Sequence, residues 1–113
     1  MQREPCVNIL ASGFKGTLYT GVTSDLVARM FKHREGTTRG FTTRYGVTRL
    51  VWFERHEEML TAIAREKTIK RWRREWKIEL IVEANPSWRD LAEDFGFEPL
   101  IGKRQVDPGS SPG

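Results

Sequence analysis

The sequence predicts a small α/β sandwich of the α+β type, in which helices flank a three-stranded, mainly antiparallel sheet in the order β-β-α-β-α-α. Three observations support this fold class. Two short segments rich in β-branched and aromatic residues are separated by a glycine-containing turn, a third segment is almost entirely apolar, and apolar residues elsewhere recur at helical spacing. A chain of 113 residues has the length of a single domain with one modest core.

The first two predicted strands form a hairpin. Residues 6–12 give the first strand and residues 17–22 the second, because both are rich in residues that favour extended structure. Residues 13–16 between them contain two glycines and are typical of a turn. The hairpin is expected to place Asn8 across from Tyr19.

The first helix is predicted to follow the hairpin directly. Thr23 or Ser24 can cap it, and Asp25 in its first turn lies favourably at the positive end of the helix dipole. The helix is predicted to end at Gly36. Its apolar stripe consists of Leu26, Val27, Met30 and Phe31.

The second half of the chain predicts one more strand and two more helices. Residues 50–53 are nearly all apolar and indicate a central, covered strand. A helix is predicted from residue 56 to about residue 71, and a further helical stretch continues until Asn85-Pro86 breaks it. We expect residues 5–92 to form the domain and residues 93–113 to form a short extension with a disordered tail.

Composition excludes several classes of protein. Hydrophobic residues make up 38% and charged residues 30% of the chain, which is typical of a globular domain rather than a disordered one. Cys6 is the only cysteine, so an internal disulfide and a thiolate metal cage are excluded, and two histidines argue against a zinc site. No apolar segment resembles a signal peptide or a membrane span, so we expect a cytoplasmic protein without a membrane partner.

Cationic side chains are concentrated in one part of the chain, although the formal net charge is only +4. They favour a polyanionic partner such as nucleic acid, and a solvated helix face is the alternative interpretation. Between residues 65 and 77 the cations are Arg65, Lys67, Lys70, Arg71, Arg73, Arg74 and Lys77, against the carboxylates Glu66 and Glu75.

Glu66 fits its predicted surroundings less well than any other residue. At about 3.6 residues per turn it falls within the arc of its helix where an apolar residue is expected. That arc contains Met59, Ala62, Ile63 and Ile69. Because carboxylates are rarely buried without a partner, we expect Glu66 to form an ion pair, for example with Arg29, or to bind a metal ion.

Three further residues have side chains suited to phosphodiester chemistry. Tyr19 lies near the end of the second strand and is followed by Gly21, a glycine that lets a ligand approach the backbone. Arg29 and His33 are four residues apart and project from one face of the first helix. Taken singly, Tyr19 is better explained by packing on the sheet, and the Arg29/His33 pair by a solvated helix face. Together with Glu66 they indicate a site that cleaves phosphodiester bonds.

These residues resemble the motifs of the GIY-YIG nuclease domain over about residues 5–92. Tyr19-Thr20-Gly21 takes the place of the second motif, and Glu66, in Ala64-Arg65-Glu66-Lys67, takes the place of the family's glutamate. The chain resembles in particular the small single-domain bacterial branch of UPF0213 proteins, and also the N-terminal nuclease domain found in excinucleases. The resemblance implies a metal-dependent endonuclease that hydrolyses phosphodiester bonds in DNA, in repair or recombination.

The resemblance also implies roles for individual residues. Tyr19 is expected to help activate the nucleophile, and Arg29 is expected to bind the scissile phosphate through its fork-shaped guanidinium. His33 is expected to accept or relay a proton. Glu66 is expected to hold a single Mg²⁺ or Mn²⁺ ion.

Further residues are expected to lie at the nucleic-acid interface. Tyr45, in a segment typical of the small branch, either stacks on a base or completes the pocket. Lys32 and Arg34 on the first helix are expected to touch the DNA backbone or solvent. Asn85 either ends a helix or contributes to the site. The residues expected to contact the backbone of DNA, or of RNA, are Lys32, Lys67, Lys70, Arg71, Arg73 and Arg74.

The first motif departs from the family pattern, because it ends in Asn8 where near relatives have a tyrosine. An amide can orient a water molecule but cannot act as a general base. One alternative to an endonuclease is therefore a nucleic-acid-binding domain whose cleavage is weak or lost through Asn8. Another is an interaction domain that relies on a targeting partner protein or a homodimer, since residues 93–113 are too short to form a separate DNA-binding domain.

Overall fold

A computed structural model describes residues 4–35 and 48–97, and its architecture confirms the predicted fold class. Within these residues the strands and helices follow the predicted order, and a 3₁₀ helix comes last. The strands are β1 (Cys6–Ala11), β2 (Leu18–Thr23) and β3 (Arg49–Arg55). The helices are α1 (Leu26–Glu35), α2 (Met59–Arg71) and α3 (Arg74–Ala84), and the 3₁₀ helix spans Leu91–Phe95.

The sheet has the strand order β2-β1-β3, and both pairings are antiparallel. The prediction that the third strand is central was wrong, because β1 occupies that position and all six of its residues are buried. The apolar residues of β3 are covered by α3 and the 3₁₀ helix rather than by strands on both sides. Asn8 pairs with Gly21, and Tyr19 pairs with Leu10, so the predicted pairing of Asn8 with Tyr19 was two residues out of register.

Alternation along β1 divides the core into two halves, because successive side chains of a strand point to opposite faces. Val7 and Ile9 pack with residues of α2 and α3 on one face. Cys6 and Leu10 pack with residues of α1 and the 3₁₀ helix on the other face, and Asn8 lies between them on that face. Burial raises the pKa of the Cys6 thiol to about 11, so Cys6 is a protonated core residue.

The connection from β2 into α1 is tight and fixes where α1 begins. Asp25 Oδ1 accepts a hydrogen bond from the Ala28 backbone N–H at 3.1 Å, so Asp25 caps the helix instead of the predicted Thr23 or Ser24. Thr23 Oγ1 accepts a hydrogen bond from the Asp25 N–H at 3.1 Å and closes the turn before the cap. This connection brings the first turn of α1, which contains Arg29, next to the end of β2. The predicted helix end at Gly36 lies outside the described residues.

A buried ion pair joins α1, β3 and the 3₁₀ helix. Arg34 Nη2 lies 2.9 Å from Asp90 Oδ2, and the two side chains are only 8% and 5% exposed. Arg34 also donates to the Thr48 carbonyl, while Asp90 Oδ1 accepts from the N–H groups of Leu50 and Ala92. The expectation that Arg34 touches DNA or solvent was therefore wrong, because its guanidinium is used to hold the fold together.

The two long helices are separated by a short break. Trp72 and Arg73 have extended backbone conformations between α2 and α3, so the predicted second helical stretch begins as a new helix. Asn85 ends α3, and its amide donates to the carbonyls of Val51 and Arg89, which accounts for its presence structurally. Within residues 4–35 and 48–97, no helix combines the length and apolar character needed to cross a lipid bilayer.

Candidate active site

Three of the predicted site residues surround Gly21. A β-carbon placed on Gly21 would lie 3.3 Å from Arg29 Nη2, 3.3 Å from Tyr19 Cε2 and 3.7 Å from Asn8 Oδ1. Tyr19 is two residues before Gly21 on β2, and Asn8 is directly opposite Gly21 on β1, so all three strand positions share one face. Glycine at this position lets the arginine and the tyrosine approach the sheet closely.

Asn8 is the most deeply buried of these three side chains and is 0% exposed. Neither its Oδ1 nor its Nδ2 forms a hydrogen bond with another group in the part of the chain that the structure describes. A buried polar group left without a partner costs about 1–3 kcal/mol. Packing alone therefore does not explain an asparagine at the centre of the sheet, where the neighbouring positions hold apolar side chains.

Arg29 reaches across the glycine from the first turn of α1. Its Nη1 lies at 3.5 Å from the Val22 carbonyl oxygen, which is a long contact, and its side chain is half-buried. Its Nε is buried and has no hydrogen-bond partner within residues 4–35 and 48–97. No ion pair within those residues involves Arg29.

Of the remaining candidates, the structure describes the Tyr19 side chain, only the backbone of His33, and no part of Tyr45. Tyr19 is half-buried and packs against the apolar cluster under α1, with its ring edge beside Gly21. The backbone of His33 lies four residues beyond Arg29 in α1, but its side chain is outside the described part of the structure. Tyr45 is also outside the described residues. The predicted role of each stays a prediction.

Glu66 lies on the sheet-facing side of α2 and is only 8% exposed. Its neighbours on that side, Ala62 and Ile69, belong to the core that α2 forms against the sheet. Glu66 Oε2 forms an ion pair with Lys70 Nζ at 2.9 Å, one helical turn further on. The predicted buried carboxylate is thus present, but its ion-pair partner is Lys70 and not Arg29.

The two groups of site residues approach β2 from different directions. Asn8, Gly21 and Arg29 lie on the face of the sheet covered by α1, whereas Glu66 lies on the helix that packs on the other face, against β1 and β2. β2, which carries Tyr19 and Gly21, is an edge strand of the described sheet, and the helix of Glu66 contacts both β2 and the central strand β1. Convergence of Tyr19, Arg29, His33 and Glu66 in a single pocket stays a prediction.

The predicted basic surface lies around the junction of α2 and α3 and is partly engaged within the protein. Lys67 and Arg71 are exposed, as is Lys32 on α1. Arg73 lies over the ring of Trp76 at 4.9 Å, and Arg74 Nη2 donates to the carbonyls of Lys15 and Gly16. We call Lys67, Lys70, Arg71, Arg73 and Arg74 the junction cluster.

Two features of the site were missed in the sequence. The ion pair between Glu66 and Lys70 could have been found from their spacing of four residues on one helix. The close approach of Arg29 to Gly21 could not, because it depends on the tight connection from β2 into α1.

The comparisons with known proteins identify the family of the chain. Residues 5–79 match the GIY-YIG catalytic domain. UPF0213 proteins from the Staphylococcus aureus strains Mu3, Mu50 and N315 are each 38% identical to this chain over 68 residues, which is 60% of this chain and 83% of the relative. No solved structure matches the chain. The segment that matches the catalytic domain includes Asn8, Tyr19, Arg29 and Glu66, and the chain belongs to the GIY-YIG family of nuclease catalytic domains.

Proposed function

We propose that the protein is a metal-dependent endonuclease that hydrolyses phosphodiester bonds in DNA. The observation that supports this most is the half-buried Arg29 guanidinium, which lies beside Tyr19 over a glycine and has no carboxylate partner in the described residues. A guanidinium held near a sheet edge in this way suits a phosphate, since it offers paired hydrogen bonds and an unneutralised charge.

In this proposal each residue has one task. Arg29 binds a non-bridging oxygen of the scissile phosphate and stabilises the charge that develops on it. Tyr19, whose ring edge borders the same glycine, orients or helps to deprotonate the attacking water. His33, one helical turn beyond Arg29, relays the proton away. Lys32 and the exposed lysines and arginines of the junction cluster bind the flanking phosphates.

The donor set of the described residues fits a divalent cation held mainly by water. Glu66 offers a hard carboxylate, and no group of three or more His, Cys, Asp or Glu side chains that could enclose a metal ion occurs within residues 4–35 and 48–97. Mg²⁺ and Mn²⁺ are commonly held by one or two carboxylates plus water and substrate phosphate. When bound, such an ion would stabilise negative charge at the reacting phosphate. Glu66 would then exchange its contact with Lys70 for the ion.

Mn²⁺ is expected to broaden NMR signals around Glu66 at millimolar concentration in the absence of DNA. The effect arises because a paramagnetic ion relaxes nearby nuclei, and one carboxylate gives weak binding. Glu66→Gln keeps the size of the side chain but removes its charge, so it should abolish the broadening. Spectra that respond equally in wild type and Glu66→Gln would exclude Glu66 as the ligand.

Binding to DNA is expected to depend strongly on salt and little on sequence. Replacing Lys67 by alanine should reduce the slope of log K against log salt by about 1, because one phosphate contact is lost. Arg89→Ala is the matched control, since Arg89 is half-exposed and pairs with Asp94 beyond the other end of α3. Equal slopes for wild type and Lys67→Ala would exclude Lys67 as a phosphate contact, and equal slopes for Arg71→Ala as well would contradict the junction cluster as the DNA-binding surface.

The alternative is a nucleic-acid-binding domain that has lost cleavage, and the buried Asn8 in the first motif favours it. A panel of labelled single-stranded, duplex, nicked and flapped DNA, with matching RNA, separates the two functions when incubated with Mg²⁺, Mn²⁺ or EDTA. The proposal expects DNA cleavage that EDTA abolishes. Binding without cleavage under every condition would favour the alternative. A cytoplasmic role in repair or recombination, and a targeting partner or homodimer, form part of the same proposal.

A further inference from the structure

The amide of Asn8 and the guanidinium of Arg29 have matching unfilled hydrogen-bonding capacity. Asn8 Oδ1 is a buried acceptor without a partner in the described chain, and Arg29 Nε is a buried donor in the same condition. Asn8 Oδ1 and Arg29 Nη2 border the same point, the missing side chain of Gly21. Of the three described atoms nearest to this point, two are polar, one from a neutral acceptor and one from a cation.

A neutral acceptor does something for an arginine that a carboxylate cannot do. An amide oxygen can accept a hydrogen bond from a guanidinium and fix its orientation without cancelling its charge. A carboxylate in the same place would neutralise the arginine and compete with a phosphate for it. An apolar residue would pack better in the sheet but would offer no hydrogen-bond acceptor to orient the guanidinium.

We propose that Asn8 is a positioning residue for Arg29. The two side chains make no direct hydrogen bond, so the amide oxygen acts through one buried water that the Arg29 guanidinium donates to, and the remaining N–H groups of the fork turn toward the substrate phosphate. The part of this inference that concerns the substrate phosphate rests on the proposed function. The contact between Asn8 and Arg29 does not. In this proposal the asparagine of the first motif orients Arg29, whereas its alternative interpretation is only the loss of a tyrosine that could act as a base.

Asn8→Leu tests the proposal because leucine has the same branching at Cγ, with a somewhat larger volume, and no acceptor. Since it replaces a buried amide by an apolar group, the urea midpoint of unfolding is expected to rise or stay the same. Metal-dependent DNA cleavage is expected to fall by about 10-fold to 10²-fold, because the guanidinium loses its orientation. Lower stability together with lower activity would indicate a merely structural role and would overturn the proposal.

Asn8→Asp provides the opposite change, since it adds a charge beside Arg29. Its salt slope for binding a DNA duplex is expected to fall by about 1, as in Arg29→Ala, because the arginine charge is neutralised. Asn8→Leu keeps that charge, so its salt slope should equal that of wild type. An Asn8→Asp slope equal to that of wild type would show that residue 8 does not reach Arg29.

A readout independent of cleavage keeps the inference separate from the proposed function. In ¹⁵N-labelled protein the Arg29 Nε–Hε proton is expected to exchange with water at least about 10-fold faster in Asn8→Leu than in wild type, since the water-bridged contact with the amide is lost. If no variant cleaves DNA but this difference is observed, the nuclease proposal fails and the positioning contact stands. Equal exchange in both proteins would overturn the positioning contact whatever the activity.

Discussion

Replacing Arg29 by alanine is expected to reduce DNA cleavage by about 10²–10³-fold, because one donor to the developing phosphate charge is lost. The fold is expected to remain intact. Within residues 4–35 and 48–97 the guanidinium makes only one long hydrogen bond, to the Val22 carbonyl, and its Nε is buried without a partner. Single-turnover cleavage and thermal unfolding of the same samples measure the two effects.

Arg89→Ala is the control for this prediction, since it removes an arginine that pairs with Asp94 on the surface. Its cleavage rate and its melting temperature should both stay close to those of wild type. Two results would contradict the role of Arg29: a rate within about threefold of wild type, which is under about 1 kcal/mol of transition-state stabilisation, or a loss of rate that parallels a loss of folded protein.

Asp90→Ala is expected to produce the largest loss of stability, about 3–5 kcal/mol. The substitution leaves the Arg34 guanidinium buried without its counter-charge and removes the acceptor for the backbone N–H groups of Leu50 and Ala92. Three elements, α1, β3 and the 3₁₀ helix, lose their common contact. Urea unfolding followed by circular dichroism measures the change.

Asp94→Ala is the matched control for the stability prediction. The ion pair of Asp94 with Arg89 has a similar length, 2.8 Å, but both side chains are more than half exposed. Exposed ion pairs contribute about 0–1 kcal/mol, so this variant should unfold at nearly the wild-type urea concentration. Similar losses of stability for Asp90→Ala and Asp94→Ala would show that burial does not increase the contribution of the Arg34–Asp90 pair to the free energy of unfolding.

Local patterns in the sequence were sufficient for most of the fold. The hairpin was predicted because β-branched and aromatic segments flank a turn with two glycines, and its strands were observed at Cys6–Ala11 and Leu18–Thr23. The strand order was not predictable in the same way. A run of apolar residues shows that β3 is covered, but it does not show whether strands or helices cover it.

The site was predictable where its signal was local and not where it depended on distant residues. Glu66 stood out because an apolar residue was expected at its position on α2, and it is buried. The structural role of Arg34 could not be found in the sequence, because Asp90 is 56 residues away. Asn8 could be recognised as an unusual first-motif residue, but its lack of partners in the described residues becomes visible only when α1 is packed over it.

We propose that Arg29 on α1 and Glu66 on α2, two helices that cover opposite faces of the sheet, act in one active site. A double-mutant cycle on cleavage tests it most directly, with wild type, Arg29→Ala, Glu66→Gln and the double variant under single-turnover conditions in Mn²⁺. Residues that act as one catalytic unit are strongly non-additive. We expect each single change to slow cleavage by about 10²-fold or more, and the double variant to be no slower than the slower single variant. Losses that multiply in the double variant, or a Glu66→Gln protein that cleaves like wild type, would contradict the claim.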